Sequence, residues 1–340
     1  MILVTGGAGY IGSVAVDQLL VKGEAVRVFD KLYFGEEGLA RNRKKIDLVQ
    51  GDIRSFDHSV LDGVDSVIHL GGLSNDPTAE YNPKANMEIN YEGTKQVAEA
   101  CRKKGIKRFV FASSCSIYDK GLLADDVLQD ETAEVNPRAT YAISKLKAEK
   151  LLLKMAGSDF CPVILRQGTV YGFSPRMRYD LVVNTFLKDA IVNKKLTVFC
   201  GGEMWRPLVD VSDAARAFIC LAEAEEDKVN GQIFNLSYKN YRILELAHWV
   251  GEALKDRCSP QIDVDHSSTK TRSYRVAAKK IEDVLGFRPL VSVEDSVKNM
   301  LVRIEENGYT DFLNPHYYNI KWMTLLDEME KTLKKTGPVF

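Results

Sequence analysis

The chain has 340 residues, 45% of them hydrophobic, and its 46 Lys and Arg against 47 Asp and Glu give a formal net charge of -1. That length can bury a full core in one large domain or two, and so even a charge balance gives no electrostatic footing for nucleic acid or an anionic membrane surface as partner. Six cysteines without a CxxC pair and five histidines without clustering argue against a metal site or a disulfide framework, and without a signal peptide or an apolar run of ~18 residues the protein is expected to be cytoplasmic.

The first apolar stretch, Met1-Ile2-Leu3-Val4, runs into VTGGAGYIG at residues 4–12, and helical periodicity continues to about Leu20. A glycine fingerprint alone is a weak signal. A strand before it and a helix after it supply the context in which such a turn holds a dinucleotide. Gly6 serves the turn, Gly9 the close approach of backbone to pyrophosphate, and Gly12 the tight packing of helix on strand. The pyrophosphate would rest at the helix N-terminus, where unpaired N–H groups and the dipole favour an anion. Residues 25–29 read as the second strand, and Asp30 at its end falls at the ~20-residue offset of a ribose-binding carboxylate. Such a carboxylate accepts from both ribose hydroxyls and repels a 2′-phosphate, so NAD is expected over NADP, an argument that Lys31 and Arg27 blunt slightly. The basic run RNRKK at 41–45 reads as a solvated loop.

Further short apolar strands at 47–50, 66–70, 108–112 and 162–165, with helical periodicity between most of them, complete an α/β alternation. The pattern predicts a Rossmann-type doubly wound parallel sheet whose ligands gather at the strand C-termini. The polar punctuation falls there: Gly6, Asp30, Asp52, the Gly71-Gly72 pair and the Ser113-Ser114 pair close the first five strands in turn. Asp52 and Ile53 would place a carboxylate near an adenine amino group under an apolar cover. From about Gly172 the chain changes to loops rich in Arg, Pro and Gly. Residues 1–170 are therefore taken as the dinucleotide-binding domain, to which later elements can return, and 171–340 as a smaller substrate-binding portion. Its tail carries Tyr309, Phe312, Tyr317, Tyr318 and Trp322, which are expected to be packed.

Tyr141 and Lys145 lie four apart and project from one helix face. A tyrosine of pKa about 10 is a poor base at neutral pH. A neighbouring ammonium would stabilise the phenolate, lower that pKa and hold a nicotinamide ribose as well. Ser114, at the end of the fifth strand, is the natural third member, hydrogen-bonding the reacting hydroxyl.

With these stand GDI at 51–53, HLGG at 69–72, NYEGT at 90–94, SSCSIY at 113–118, EMWRPLVDVSD at 203–213, and RSYRV at 272–276 before LGFRP. As a set they resemble, over nearly the whole chain, the extended short-chain dehydrogenase/reductases, specifically the nucleotide-sugar epimerase/dehydratase group that includes UDP-glucose 4-epimerase. The resemblance implies tightly bound NAD, contacted by Gly6, Gly9, Tyr10, Ile11, Gly12, Asp30, Lys31, Asp52, Ile53, Leu70, Gly71, Gly72, Asn90, Tyr141 and Lys145. It implies a Ser114-Tyr141-Lys145 centre and a nucleoside-diphosphate sugar whose diphosphate is gripped by arginines of the C-terminal portion. Arg206, an isolated cation between apolar residues, and Arg272 suit that grip. Ser74, Cys115, Ser116 and Thr169 are the other expected substrate contacts. The segment SPRMRYD at 174–180 is similar to one in enzymes that oxidise C4 of GDP-heptoses, so Arg176 and Arg178 join them.

Departures from the family narrow the reaction. Its 4,6-dehydratases carry Asp-Glu after the catalytic Ser or Thr, where this chain has Cys115 and Ser116, which speaks against dehydration. In GDP-mannose 3,5-epimerase-like enzymes a cysteine acts as acid or base, but one position later, so Cys115 is read as a small, soft pocket wall. The expected activity is oxidoreduction at C4 of the sugar, foremost 4-epimerisation through a 4-keto sugar. A 4-dehydrogenase or 4-ketoreductase is the alternative on the same centre, with a catalytically silent nucleotide-binding protein as the different class. The family also implies a homodimer through helices at 90–102 and 141–154, whose apolar positions include Val97, Ala98, Leu146, Leu151, Leu152 and Leu153.

Overall fold

A computed structural model describes residues 1–119, 127–267 and 272–337. In chain order the first half runs β1 (Ile2–Thr5), α1 (Tyr10–Val21), β2 (Val26–Asp30), β3 (Asp47–Gln50), β4 (Ser66–His69), α2 (Asp76–Tyr81), α3 (Pro83–Met87), α4 (Thr94–Lys103), β5 (Arg108–Ser114), β6 (Leu128–Gln129), α5 (Thr140–Met155) and β7 (Cys161–Gln167). The second half runs β8 (Thr169–Tyr171), α6 (Val182–Asn193), β9 (Lys195–Phe199), β10 (Trp205–Asp210), α7 (Val211–Glu223), α8 (Glu226–Val229), β11 (Ile233–Leu236) and β12 (Lys239–Arg242). It ends with α9 (Ile243–Ala253), β13 (Gln261–Asp265), β14 (Arg275–Val276), α10 (Lys279–Leu285), α11 (Val293–Glu306) and α12 (Asn319–Thr336).

Seven strands form one parallel sheet in the order β11-β7-β5-β4-β1-β2-β3. Successive side chains leave a strand on opposite faces, and here both faces are covered. Leu3, Phe109 and Ile164 pack with Val97, Ala98, Cys101, Ala148 and Leu152 of α4 and α5. Val4, Val28, Val110 and Val163 pack with Val16 and Leu19 of α1 and with Ala214 and Phe218 of α7. Burial on two sides is why these strands read as continuous apolar runs rather than alternating ones. The order reverses between β1 and β4, so the loops after those strands diverge and open a cleft at the switch point.

Two strands run two residues past their predicted ends: β5 continues to Ser114 and β7 to Gln167. Beside the sheet, α6, α9 and α11 surround a second core of Tyr171, Tyr179, Leu208, Leu246, Val297 and Met300. Of the aromatic tail, Tyr309, Phe312, Tyr317 and Tyr318 belong to that core, with the Phe312 and Tyr317 rings edge-on to Tyr179 at centroid distances of 5.0 and 5.4 Å, while Trp322 turns to the Tyr33 carbonyl. Val97, Ala98 and Leu152 are fully buried inside this chain, which corrects the expectation that they lie at a subunit contact. A helix backing a sheet spends its apolar face on that sheet, and α4 and α5 turn Gln96, Glu99, Lys147 and Lys150 outward. Among the described residues no helix is long and apolar enough to cross a membrane, and no group of His, Cys, Asp and Glu is placed to hold a metal ion.

Candidate active site

A single cleft runs over the carboxyl ends of β1, β2, β4 and β5. At its floor Gly6 has φ +70°, and a Cβ there would stand 2.7 Å from the Gly71 amide nitrogen; one on Gly12 would stand 2.2 Å from the Gly6 carbonyl oxygen. Neither position admits a side chain. Gly9 precedes α1 and no side chain caps that helix, which leaves its first amides for an anion. Asp30 accepts hydrogen bonds from the Ala8 amide at 3.0 Å and the Leu32 amide at 2.8 Å, while burial raises its pKa. Asp52 accepts from Arg54, whose guanidinium holds it down to about 2, and Lys31 stands 3.5 Å away. Tyr10, Ile11, Ile53, Leu70, Gly71 and Gly72 complete this half of the wall. The cradle, the uncapped helix and the two carboxylates fit NAD.

Asn90 is not in that wall. Its amide exchanges hydrogen bonds with the Leu73 backbone at 2.8 and 2.9 Å and donates to Ser144 Oγ at 3.2 Å. It therefore fastens the loop after β4 to α5 from behind, and the expected cofactor contact is corrected to a supporting one.

Ser114, Tyr141 and Lys145 meet at the middle of the cleft. Ser114 ends β5, takes the Ser116 amide on its Oγ at 3.1 Å, and stands beside Tyr141, whose pKa it lowers. Lys145 Nζ donates to the Ala112 carbonyl at 2.9 Å and lies 5.9 Å from the Tyr141 ring centroid. Burial pushes Lys145 down to about 8, against the charge of Glu149, which holds it up. Tyr141 differs from expectation: burial raises its pKa well above the ordinary value, the charge of Asp76 adds to this, and Ser114 and Arg178 only partly offset them. The desolvation of a buried phenolate outweighs the help of Arg178.

In the other half of the wall stand Ser74, Asp76, Ser116, Gln167, Thr169, Arg178, Arg206, Arg272 and Tyr274, while Arg176 stands beside Phe34 on the dinucleotide side. Ser116 Oγ is buried there without a hydrogen-bond partner. Cys115 does not reach the cleft, which corrects its place among the substrate contacts. Its Sγ donates to the Arg166 carbonyl at 3.1 Å, it packs with Ile117 and Ala142, and burial pushes the thiol up. Arg272 pairs with Asp76 at 2.5 Å and with Asp119 at 3.5 Å, so in this structure its charge is already met. Arg206 donates to the Trp205 carbonyl at 2.8 Å and to that of Arg272. Arg178 forks onto Asp180 at 2.8 and 3.0 Å and reaches Ser74 Oγ at 3.3 Å. Asp76 escaped the sequence reading; the only local signal was its place behind Asn75, whose side chain caps α2. Asn319, which also lines the cleft, gave no signal at all.

The family model for the NAD dependent epimerase/dehydratase family matches residues 2–237. A UDP-N-acetyl-alpha-D-glucosaminuronate decarboxylase of Bacillus cytotoxicus is 30% identical over 317 residues, covering 88% of this chain and 96% of the relative. A putative UDP-glucose 4-epimerase of Methanocaldococcus jannaschii is 29% identical over 323 residues, covering 91% of this chain and all of the relative. Among solved structures, the dTDP-glucose 4,6-dehydratase DesIV of Streptomyces venezuelae, with NAD bound, is similar with a TM-score of 0.78 at 25% identity, covering 91% of this chain and 98% of that one. Three reactions are thus represented on one architecture. With its glycine cradle, switch-point cleft and matched sequence, the chain belongs to the NAD dependent epimerase/dehydratase family and is an NAD-dependent enzyme of the extended short-chain dehydrogenase/reductase type.

Proposed function

We propose that the chain catalyses oxidoreduction at C4 of a nucleoside-diphosphate sugar, with 4-epimerisation as the net reaction. The observation that carries this is the convergence of Ser114, Tyr141 and Lys145 on one cleft, facing its dinucleotide half. When bound, NAD supplies the hydride acceptor and a cationic ring that favours the Tyr141 phenolate. Tyr141 takes the proton of the C4 hydroxyl and later returns it, Ser114 holds that hydroxyl in line, and Lys145 keeps positive charge near the phenolate. Rotation of the 4-keto sugar between the two transfers inverts C4 with no net redox change. Arg206, which meets no carboxylate at ion-pair distance among the described residues, is the proposed diphosphate ligand.

Elimination of water between C5 and C6 would need a base and an acid beyond Tyr141. Cys115 is sealed from the cleft and Ser116 has no activating partner, which supports retention of the C6 oxygen. The Asp76 carboxylate faces the cleft with one oxygen buried and unpartnered. Arg272 meets the other oxygen at 2.5 Å, so the pair adds no net charge to the wall. A second reading, 4-ketoreductase, draws on the raised pKa of Tyr141, because a neutral hydroxyl is already poised to protonate a ketone. Incubation with UDP-, GDP-, dTDP- and CDP-sugars, following product and bound-cofactor absorbance, tests both. Epimers supports the first, net consumption of reduced cofactor the second.

A further inference from the structure

Arg176 and Arg178 come from the segment between β8 and α6, yet Arg176 enters the cleft on its dinucleotide side. The backbone around it is fastened to the first turns of α1: Ser174 Oγ donates to the Tyr10 carbonyl at 2.7 Å, lies 3.0 Å from Ser13 Oγ, and accepts the Arg176 amide at 3.2 Å. A Cβ added at Gly38 would stand 3.0 Å from the Arg176 Cβ and 3.2 Å from the Ala8 carbonyl oxygen. The arginine stem therefore passes between the glycine turn and the loop after β2, where its guanidinium lies 3.7 Å from the Phe34 ring centroid.

The two arginines differ in what balances them. Arg178 is met by both oxygens of Asp180. Arg176 is only 5% exposed, donates one Nη2 hydrogen bond to Asn319 Oδ1 at 2.7 Å, and keeps its Nε buried without a partner. No carboxylate stands at ion-pair distance from it among the described residues. Burial and the charge of Arg178 press its pKa down to about 9, so an anion placed against it would relieve a cation the fold holds at a cost.

We propose that Arg176 is a phosphate ligand of the dinucleotide, gripping the pyrophosphate from the side opposite the N-terminus of α1, and that α12 holds it in place through Asn319. An anion resting on the α1 amides is met on one flank only. The guanidinium supplies a charged fork on the other. The helix that carries Asn319 is anchored across both halves of the cleft, by Asn319 to Ser74 at 2.8 Å and by Trp322 to the Tyr33 carbonyl at 2.5 Å. The C-terminal helix is thereby part of the cofactor site, 289 residues from the loop it closes on. This assignment is independent of which sugar reaction the enzyme performs.

Calorimetric titration of nucleotide-depleted wild type, Arg176→Met and Asn319→Ala with ADP-ribose and with adenosine tests it. Losing a charge-assisted hydrogen bond should weaken ADP-ribose by about 10–100-fold in Arg176→Met, and several-fold in Asn319→Ala, with adenosine held within about twofold. ADP-ribose binding within twofold of wild type would overturn the assignment. So would equal losses for both ligands, which mark a merely structural role. Should Arg176→Met not fold, Arg176→Lys takes its place. Should the nucleotide not come off intact protein, the release rate of NAD is read instead, and the same acceleration is expected.

Discussion

Glu149 lies one turn after Lys145 on α5, beneath the catalytic row, and its replacement by Gln joins stability to catalysis. Arg166 donates to it through Nε at 3.0 Å and Nη2 at 2.7 Å, Ser113 donates a further hydrogen bond, and Arg166 Nη1 holds the Tyr118 hydroxyl at 2.7 Å. The two side chains are 4% and 1% exposed. Removing one charge from such a pair leaves the other buried and uncompensated, a loss of about 3–5 kcal/mol. Glutamine keeps an acceptor for Arg166, so Glu149→Gln should fall near the lower end, about 3 kcal/mol, in urea unfolding. Glu149→Leu combined with Arg166→Met removes both charges and should recover most of the loss. The same substitution acts on Lys145, whose pKa of about 8 is held up by the charge of Glu149. Without that charge Lys145 deprotonates at lower pH, and the alkaline limb of kcat moves to lower pH with it. The sign for folding runs the same way: the folded pKa lies below the ordinary 10.5, so the unfolded chain binds the proton more tightly and this lysine's contribution to stability rises with pH between about 8 and 10.5. A loss under about 1 kcal/mol, or an unmoved alkaline limb, would refute the reasoning.

Tyr141→Phe should lower kcat by about 10²–10⁴-fold while NAD stays bound, read by turnover beside the nucleotide content of the purified protein; turnover within tenfold of wild type would remove the hydroxyl from the mechanism. Asp76→Asn takes away a charge that raises the Tyr141 pKa, so the pH at which that hydroxyl ionises should fall, and an unmoved or raised limb in kcat would show that Asp76 does not act on it. Cys115→Ala, outside the cleft, should keep kcat within about twofold at a stability cost of about 1 kcal/mol; a loss of tenfold or more would return the thiol to the chemistry.

How much of this was legible depends on how local each cause is. Gly6 is demanded by its positive φ and Gly12 by the Gly6 carbonyl six residues back, and Ser114, Tyr141 and Lys145 each sit at a strand end or on one helix face, so pattern alone singled them out. Cys115 was misplaced because β5 runs two residues beyond its apolar core: Ser114 closes the strand toward the cleft and the next side chain turns beneath the sheet. Asp76 and Arg272 become partners only when residues nearly two hundred positions apart are folded together. Arg176 had a sequence signal for binding but none for which half of the cleft it would face. The pKa of Tyr141 went the other way because spacing reports a neighbouring ammonium and not the burial that opposes it.

The most direct test of chemistry at C4 is mass and proton spectroscopy of the product formed from a nucleoside-diphosphate hexose. A product of unchanged mass, keeping its C6 oxygen and inverted at C4, is predicted. Loss of one water from a neutral hexose, or of carbon dioxide from a uronate turned over in preference to it, would contradict a 4-epimerase built on Ser114, Tyr141 and Lys145.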